Sequence, residues 1–257
     1  MKKAVVLAGG KGTRLLPSTS VTNKHLLPVY SQQGSIPMIL YPINTLIESG
    51  ITDILIVSSQ EHVGLLTEFL GDGYKFNSNF TYRIQDHSNP KIPMGIASAL
   101  KQAEDFTDNE KFAVILGDNF YNKSFKNDFE SFENSDKLAH VFLKSVSDPD
   151  RFGVATINAQ NEVVKIVEKP KNPETNLAVT GLYLYTPHVY NVAKNLKPSN
   201  RNELEITDIN NYYVKANLLS ATNIDHVDGW WSDMGVPESM LNTIKFIDQT
   251  GFRIQHA

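Results

Sequence analysis

Gly9-Gly10-Lys11-Gly12-Thr13-Arg14 is the stretch whose residue types and spacing bear most directly on chemistry. Glycines let a backbone turn at positive φ and let a ligand approach the amides closely. Consecutive N–H groups in such a turn form an anion-binding nest. Thr13 adds a hydroxyl, and Arg14 a permanently charged, planar fork suited to phosphate oxygens. The stretch reads as a polyphosphate cradle, beside the plainer reading of a glycine-rich turn with a surface arginine. Its spacing is neither GxGxxG nor GxxxxGK[ST], so the dinucleotide and Walker readings do not apply.

Other polar groups recur where apolar runs end. Gly117-Asp118-Asn119 alone is a turn, since Asp and Asn favour left-handed and side-chain-bonded backbone. Beside a phosphate cradle, Asp118 becomes a candidate Mg²⁺ ligand, because Mg²⁺ is usually held by one or two carboxylates, phosphate oxygens and water. Asp233, after Trp230-Trp231, offers a second carboxylate; its plainer reading is a turn before Gly235. Lys24, Lys169 between Glu168 and Pro170, and Arg201 ahead of Glu203 and Glu205 are by default solvated charges or surface ion pairs. His25 reads as a packing or hydrogen-bonding residue rather than a base. Gln85 closes a strand-like run and carries an amide able to pair with a nucleobase edge.

These groups need elements to hold them. Strand-like runs at 3–7, 53–57, 80–84, 111–116 and 140–146 alternate with helix-like runs at 42–49, 61–70, 96–106 and 125–133. That alternation predicts an α/β fold: a Rossmann-like, mostly parallel mixed sheet with helices on both faces. In such sheets ligands gather outside the carboxyl ends of strands, where the polar groups fall. Beyond residue 146 the pattern changes to a hairpin at 154–157 and 163–167, a strand at 178–185, helices at 187–196 and 205–216, and a strand at 218–224. This predicts a small β/α part. A closing segment from 234 to about 247 precedes a tail whose Phe252 and Ile254 tuck against the body. The chain has 257 residues, 41% of them hydrophobic, which suits one compact body. Its net charge of −4 gives no basic footprint for nucleic acid. The absence of cysteine excludes disulfides and thiolate metal sites. No stretch approaches a membrane span or a signal peptide, so a cytoplasmic location is expected.

Gly9–Leu15 together with Lys24-His25-Leu26-Leu27-Pro28, Leu116–Asn119, Arg151-Phe152-Gly153-Val154, Glu168-Lys169-Pro170, Ala178-Val179-Thr180-Gly181-Leu182-Tyr183 and Glu203–Asn210 resembles the sugar-1-phosphate nucleotidyltransferases. The last two stretches are the most specific to the thymidylyltransferase branch, and the set as a whole looks most like its short class. The resemblance implies nucleotidyl transfer from dTTP to glucose 1-phosphate, giving dTDP-glucose and pyrophosphate, with Mg²⁺ as cofactor. UTP or another hexose 1-phosphate remains an alternative, as does a catalytically silent nucleotide-sugar-binding regulator. By resemblance, Gly9, Gly10, Gly12, Thr13, Arg14, Gln85, Gly95 and Asp118 bind the nucleotide. Asn119, Gly153, Glu168, Lys169, Thr180 and Arg201 line the sugar and its phosphate. Arg14, Lys24 and Lys169 stabilise the reacting phosphates, and Asp118 and Asp233 hold the metal.

The same likeness implies one nucleotidyltransferase domain over 1–257. Residues 1–146 would mainly serve the nucleotide, 147–236 mainly the sugar, and 237–257 form a C-terminal helix and tail. A homo-oligomer is left open. His25 stands where the long class has Gln, and segments 31–35 and 86–94 lengthen the family pattern. One helix after Asp233 leaves no framework for the second nucleotide site of the long class, so inhibition by dTDP-sugars is expected to be competitive.

Overall fold

The computed structural model describes residues 1–10, 12–32, 34–85, 95–199 and 201–255. The loop expected at 86–94 and Lys11 of the glycine stretch lie outside them. In chain order the first elements are β1 (Lys3–Leu7), β2 (Pro28–Ser31), β3 (Gly34–Pro37), α1 (Leu40–Glu48), β4 (Asp53–Ser59), α2 (Val63–Leu70) and β5 (Asn79–Gln85). Next come α3 (Ile96–Leu100), α4 (Glu104–Thr107), β6 (Phe112–Leu116), β7 (Asn119–Tyr121), α5 (Lys126–Glu133) and β8 (Ala139–Ser145). The chain closes with β9 (Gly153–Ile157), β10 (Val163–Glu168), β11 (Leu177–Tyr185), α6 (His188–Lys194), α7 (Ile206–Lys215), β12 (Leu219–Asn223), β13 (Trp231–Asp233) and α8 (Pro237–Thr250). The expected α/β alternation is present, with element ends shifted by at most three residues.

Two compact units share the chain. The N-terminal unit takes residues 2–86, 115–126 and 230–257; the central unit takes Met1, 87–114 and 127–229. In the N-terminal unit β1 pairs in parallel with β4, and β4 in parallel with β5 as far as Ser59↔Gln85. Ala4, Val5, Val6, Ile54, Leu55 and Ile56 are all sealed from solvent. A continuous apolar run of this kind is what a parallel strand needs when both of its faces are covered. Two short antiparallel ribbons complete the unit. β2 and β3 pair from Pro28↔Pro37 to Ser31↔Gly34, and β7 pairs with β13 so that Asn119 faces Asp233. The tail behaves as expected: Phe252 meets Phe120 edge-on at 4.9 Å between ring centroids, and Ile254 is buried. Phe246 of α8 stacks on Trp230 at 4.2 Å and meets Phe120 at 5.8 Å, so α8 is held by aromatic packing.

In the central unit β10 is an edge strand, followed by β9, β11, β8 and β12. The expected hairpin is there, with β9 and β10 antiparallel from Ile157↔Val163 to Gly153↔Glu168. β11 is buried along all nine residues. The helix expected at 96–106 is broken: a 3-10 turn at Lys101–Ala103 separates α3 from α4. Ala97, Leu100 and Ala103 are fully buried across the break.

Candidate functional site

The glycine loop leaves β1 and turns where the sequence allows. Gly10 and Gly12 have φ of 99° and 59°. A Cβ on Gly12 would stand 3.0 Å from side-chain carbons of both Lys24 and Thr19, and Thr19 Oγ1 donates to the Gly12 carbonyl at 2.8 Å. So Gly12 answers both a left-handed backbone and a close approach. Arg14 lies in the short 3-10 turn Thr13–Leu15 and is exposed, as is Thr13. Gln85, at the end of β5, is buried and brings Oε1 to 3.4 Å from where a Cβ on Gly9 would be. The cradle and the base-pairing candidate therefore adjoin within one unit.

Lys24 reaches the same place. Its ammonium pairs with Oδ2 of Asp118, while Asn119 Nδ2 donates to Oδ1 at 3.0 Å. Burial raises the Asp118 pKa, but the Lys24 charge, His25 and these hydrogen bonds outweigh it, leaving the carboxyl at about 2. Asp118 is thus ionised at neutral pH. The β7–β13 ribbon brings Asp233 to it. A Cβ on Gly235 would lie 2.6 Å from Oδ1 of Asp233 and 3.4 Å from Oδ2 of Asp118. Two converging carboxylates with space beside them fit a hard divalent cation that completes its shell from phosphates and water. Among the described residues no three His, Asp or Glu side chains are grouped so as to hold a metal ion by themselves.

Asn119 is engaged at both ends. Its Oδ1 accepts from Trp231 Nε1 at 2.6 Å while its amide nitrogen braces Asp118. His25 is buried, with Nδ1 2.6 Å from Asn23 Oδ1. Burial, then the Lys24 charge, pushes its imidazole down to about 3, only partly offset by Asp118. It is neutral and packs where a Cβ on Gly117 would come within 2.7 Å of its ring. This agrees with a packing residue.

The central unit gathers Gly153, Glu168, Lys169 and Arg201. Arg201 NH2 donates to Glu168 Oε1 at 3.2 Å and to Glu205 Oε2 at 2.7 Å, and lies 3.2 Å from Glu203 Oε2. Lys169 Nζ stands 3.7 Å from Glu168 Oε1. Lys169 has φ of 44° and its N–H donates to the Phe152 carbonyl at 2.9 Å. A lysine before a proline favours extended backbone, so this left-handed turn is a local cost that the surroundings sustain. Thr180 is sealed on β11, and its hydroxyl has no partner among the described residues. Gly95 sits against Leu204 of this unit, with Ala97 N donating to the Leu204 carbonyl at 3.3 Å.

One further participant is Thr207, inside the helix expected at 205–216 and given no role there: it donates through Oγ1 to Glu168 Oε2 at 2.5 Å. Its position in the Glu203–Asn210 stretch was the available signal, but a partner 39 residues away carries no local mark.

The α/β chain thus carries a glycine turn after β1, the Lys24–Asp118 pair, and a charge cluster of Arg201 and Lys169 with glutamates. The sequence model of the nucleotidyl transferase family matches residues 3–250, and the chain belongs to that family. It is 39% identical to the glucose-1-phosphate thymidylyltransferase of Neisseria meningitidis, over 99% of this chain and 85% of that protein. It is 45% identical to a Bacillus anthracis protein solved with sucrose and provisionally assigned as a glucose-1-phosphate thymidylyltransferase. That match has a TM-score of 0.87 and covers 96% of this chain and 95% of the other. A UDP-glucose pyrophosphorylase solved with UDP-glucose, 24% identical, shares the fold with a TM-score of 0.79 over 96% of this chain and 98% of its own.

Proposed function

We propose that the chain transfers a thymidylyl group from dTTP to glucose 1-phosphate, giving dTDP-glucose and pyrophosphate. The observation that carries this reading is the convergence of Asp118, Asp233 and Lys24 in the unit that bears the glycine loop, with Asp118 ionised and paired with Lys24. A phosphate oxygen of the sugar phosphate attacks the α-phosphorus in line. The bond to the β-phosphate breaks, and its electron pair leaves with pyrophosphate. A phosphate oxygen is already nucleophilic, so no protein base is needed. Positioning and charge stabilisation carry the rate.

In this reading the amides of Gly9, Gly10 and Gly12, with Thr13, cradle the triphosphate. Arg14 stabilises the leaving pyrophosphate. Lys24 exchanges its contact with Asp118 for a phosphate oxygen. Asp118 and Asp233 would hold Mg²⁺, which supplies charge neutralisation between the two phosphorylated substrates. Gln85, with the backbone at Gly95, reads the base. Lys169 takes the phosphate of the sugar, while Gly153, Glu168, Thr180, Arg201 and Asn119 line the sugar. The nucleotide role falls mainly to 1–146 and the sugar role mainly to 147–236. No described helix is long and apolar enough to cross a membrane; we place the reaction in the cytoplasm.

UTP is a second reading with a specific reason. The Gln85 amide meets the same N3–H and carbonyl edge on uracil as on thymine. The test is a panel of nucleoside triphosphates against a panel of sugar 1-phosphates, with Mg²⁺ and a pyrophosphate readout. Release with dTTP and glucose 1-phosphate, and rejection of CTP and GTP, is expected. Binding of nucleotide sugar without pyrophosphate release would overturn the enzymatic reading in favour of a silent binding protein.

A further inference from the structure

Asn23 is sealed from solvent and makes three hydrogen bonds. Its Oδ1 accepts from the His25 N–H at 2.8 Å and lies 2.6 Å from His25 Nδ1. Its Nδ2 donates to the Ala8 carbonyl at 3.3 Å. An amide oxygen only accepts, so Nδ1 carries the proton of the neutral imidazole. Turning the amide over would set Nδ2 against the His25 N–H, donor to donor, so its orientation is fixed by its partners.

The bridge joins the start of the glycine stretch to the base of Lys24. Ala8 is the last residue before Gly9. Asn23 caps the 3-10 turn Lys24–Leu26 and so sets the backbone from which the Lys24 side chain starts. Lys24 meets the far end of the stretch, its Cβ 3.0 Å from where a Cβ on Gly12 would be. Two consecutive residues thus hold both ends. Their Cα atoms are about 3.8 Å apart, whereas four residues of extended chain span about 13–14 Å. Single bonds reinforce the same ends: Thr19 Oγ1 donates to the Gly12 carbonyl at 2.8 Å, and Ser58 Oγ to the Ala8 carbonyl at 3.0 Å. Asn23 differs from Ser58 in that it also caps the turn that carries Lys24.

We propose that Asn23 is a positioning residue that holds Lys24 in register with the glycine loop, so that its ammonium passes from Asp118 to a phosphate oxygen by side-chain rotation alone. This rests on the reading of Lys24 as a phosphate-binding group. In the free chain the ammonium is paired with Asp118 Oδ2. A lysine is a point charge on a flexible four-carbon stem, and its reach is set by where its Cα stands. With the Cα held against the cradle, rotation of the stem chooses between carboxylate and phosphate. With the Cα loose, the charge is spread over positions that miss the transferring phosphate, and small misplacements cost rate steeply. The glycine amides still hold the triphosphate, so the loss falls on kcat more than on nucleotide binding.

The experiment compares Asn23→Ser, Ser58→Ala, Lys24→Ala and the double variant Asn23→Ser/Lys24→Ala in the full chain, with dTTP, glucose 1-phosphate and Mg²⁺, and melting curves to confirm folding. Serine keeps a capping oxygen for the turn but is too short to reach the Ala8 carbonyl as well. Asn23→Ser should lower kcat about tenfold and leave the KM for dTTP within about threefold. In the Lys24→Ala background the same change should cost less than about twofold, since a residue that acts through Lys24 has nothing left to position. Ser58→Ala, which removes the other donor to the Ala8 carbonyl, should keep kcat within about twofold. If Asn23→Ser does not fold, Asn23→Thr, which also caps and fills more of the site, takes its place. Native kcat in the folded Asn23 variant, with Lys24→Ala impaired, overturns the proposal whatever the melting temperature. A loss that persists at the same size in the Lys24→Ala background overturns it too. So does an equal loss in Ser58→Ala, which makes anchoring of the loop the cause. An unimpaired Lys24→Ala overturns the reading of Lys24 beneath it.

Discussion

Three neighbours act on the Asp118 carboxylate, Lys24, His25 and Asn119, and the β7–β13 ribbon sets Asp233 opposite Asn119 beside it. Asp118→Asn and Asp233→Asn should each keep the fold and lose turnover by about 3 kcal/mol of transition-state stabilisation, roughly a hundredfold or more. Steady-state rates in Mg²⁺ check this, and near-native turnover in both variants would end the metal assignment. Lys169→Ala belongs at the same scale. Its ammonium lies beside Glu168, in the central unit. Calorimetry should show sugar phosphate binding weakened more than nucleotide binding; an equal loss, or a loss for nucleotide only, contradicts the role. The residue types at these places were legible, since Gly, Asp and Lys at strand ends signal chemistry on their own. Their partners were not. Asn119 spends its side chain on Trp231 and Asp118, and Arg201 is tied to three acids. Such choices depend on side chains far apart in sequence.

At the scale of elements, hydrophobic period was a good guide wherever a run was long and uniform. β1, β4 and β11 are of that kind. The ribbons were missed for physical reasons. β2 and β3 are four residues each, begin or end in proline, and alternate weakly, while β7 and β13 have three residues each. Yet β7 and β13 bring the two aspartates together, so the shortest elements position the most chemistry. Gly95 shows how a loop residue can be fixed by an element beyond it. Its φ of 117° suits glycine, and a Cβ would meet the Leu204 carbonyl oxygen at 2.5 Å and the Leu204 nitrogen at 3.0 Å. Neither backbone atom can move aside cheaply. Gly95→Ala should therefore destabilise the chain by about 2–4 kcal/mol, from strained backbone and overpacking together. Urea unfolding measures it, and a loss under about 0.5 kcal/mol would show that the start of α3 shifts freely.

At the scale of the whole molecule, two histidines buried in different units tie stability to pH. His25 lies in the N-terminal unit, and burial with the Lys24 charge pushes it down to about 3. His140 on β8 of the central unit is pushed to about 4 by burial alone. Its ring lies 4.8 Å from the Phe142 ring and 6.3 Å from that of Phe132, Nδ1 meets Ser220 Oγ at 2.8 Å, and Nε2 is buried without a partner among the described residues. Both imidazoles are neutral when folded, and in the unfolded chain both take a proton near pH 6.5. Below that pH the unfolded state binds more protons, so stability is complete above it and falls as the pH drops towards 4. Replacing His140 with phenylalanine removes one of the two titrations, keeps a ring between Phe132 and Phe142, and removes the unpaired Nε2. Between pH 7.5 and 4.5 the native chain should lose more stability than His140→Phe, by about 2 kcal/mol, the size expected for a shift of this order acting over that window. Urea unfolding of both proteins at the two pH values reads the difference directly. Equal acid losses in the two proteins would mean that His140 gains a proton in the folded chain as readily as in the unfolded one.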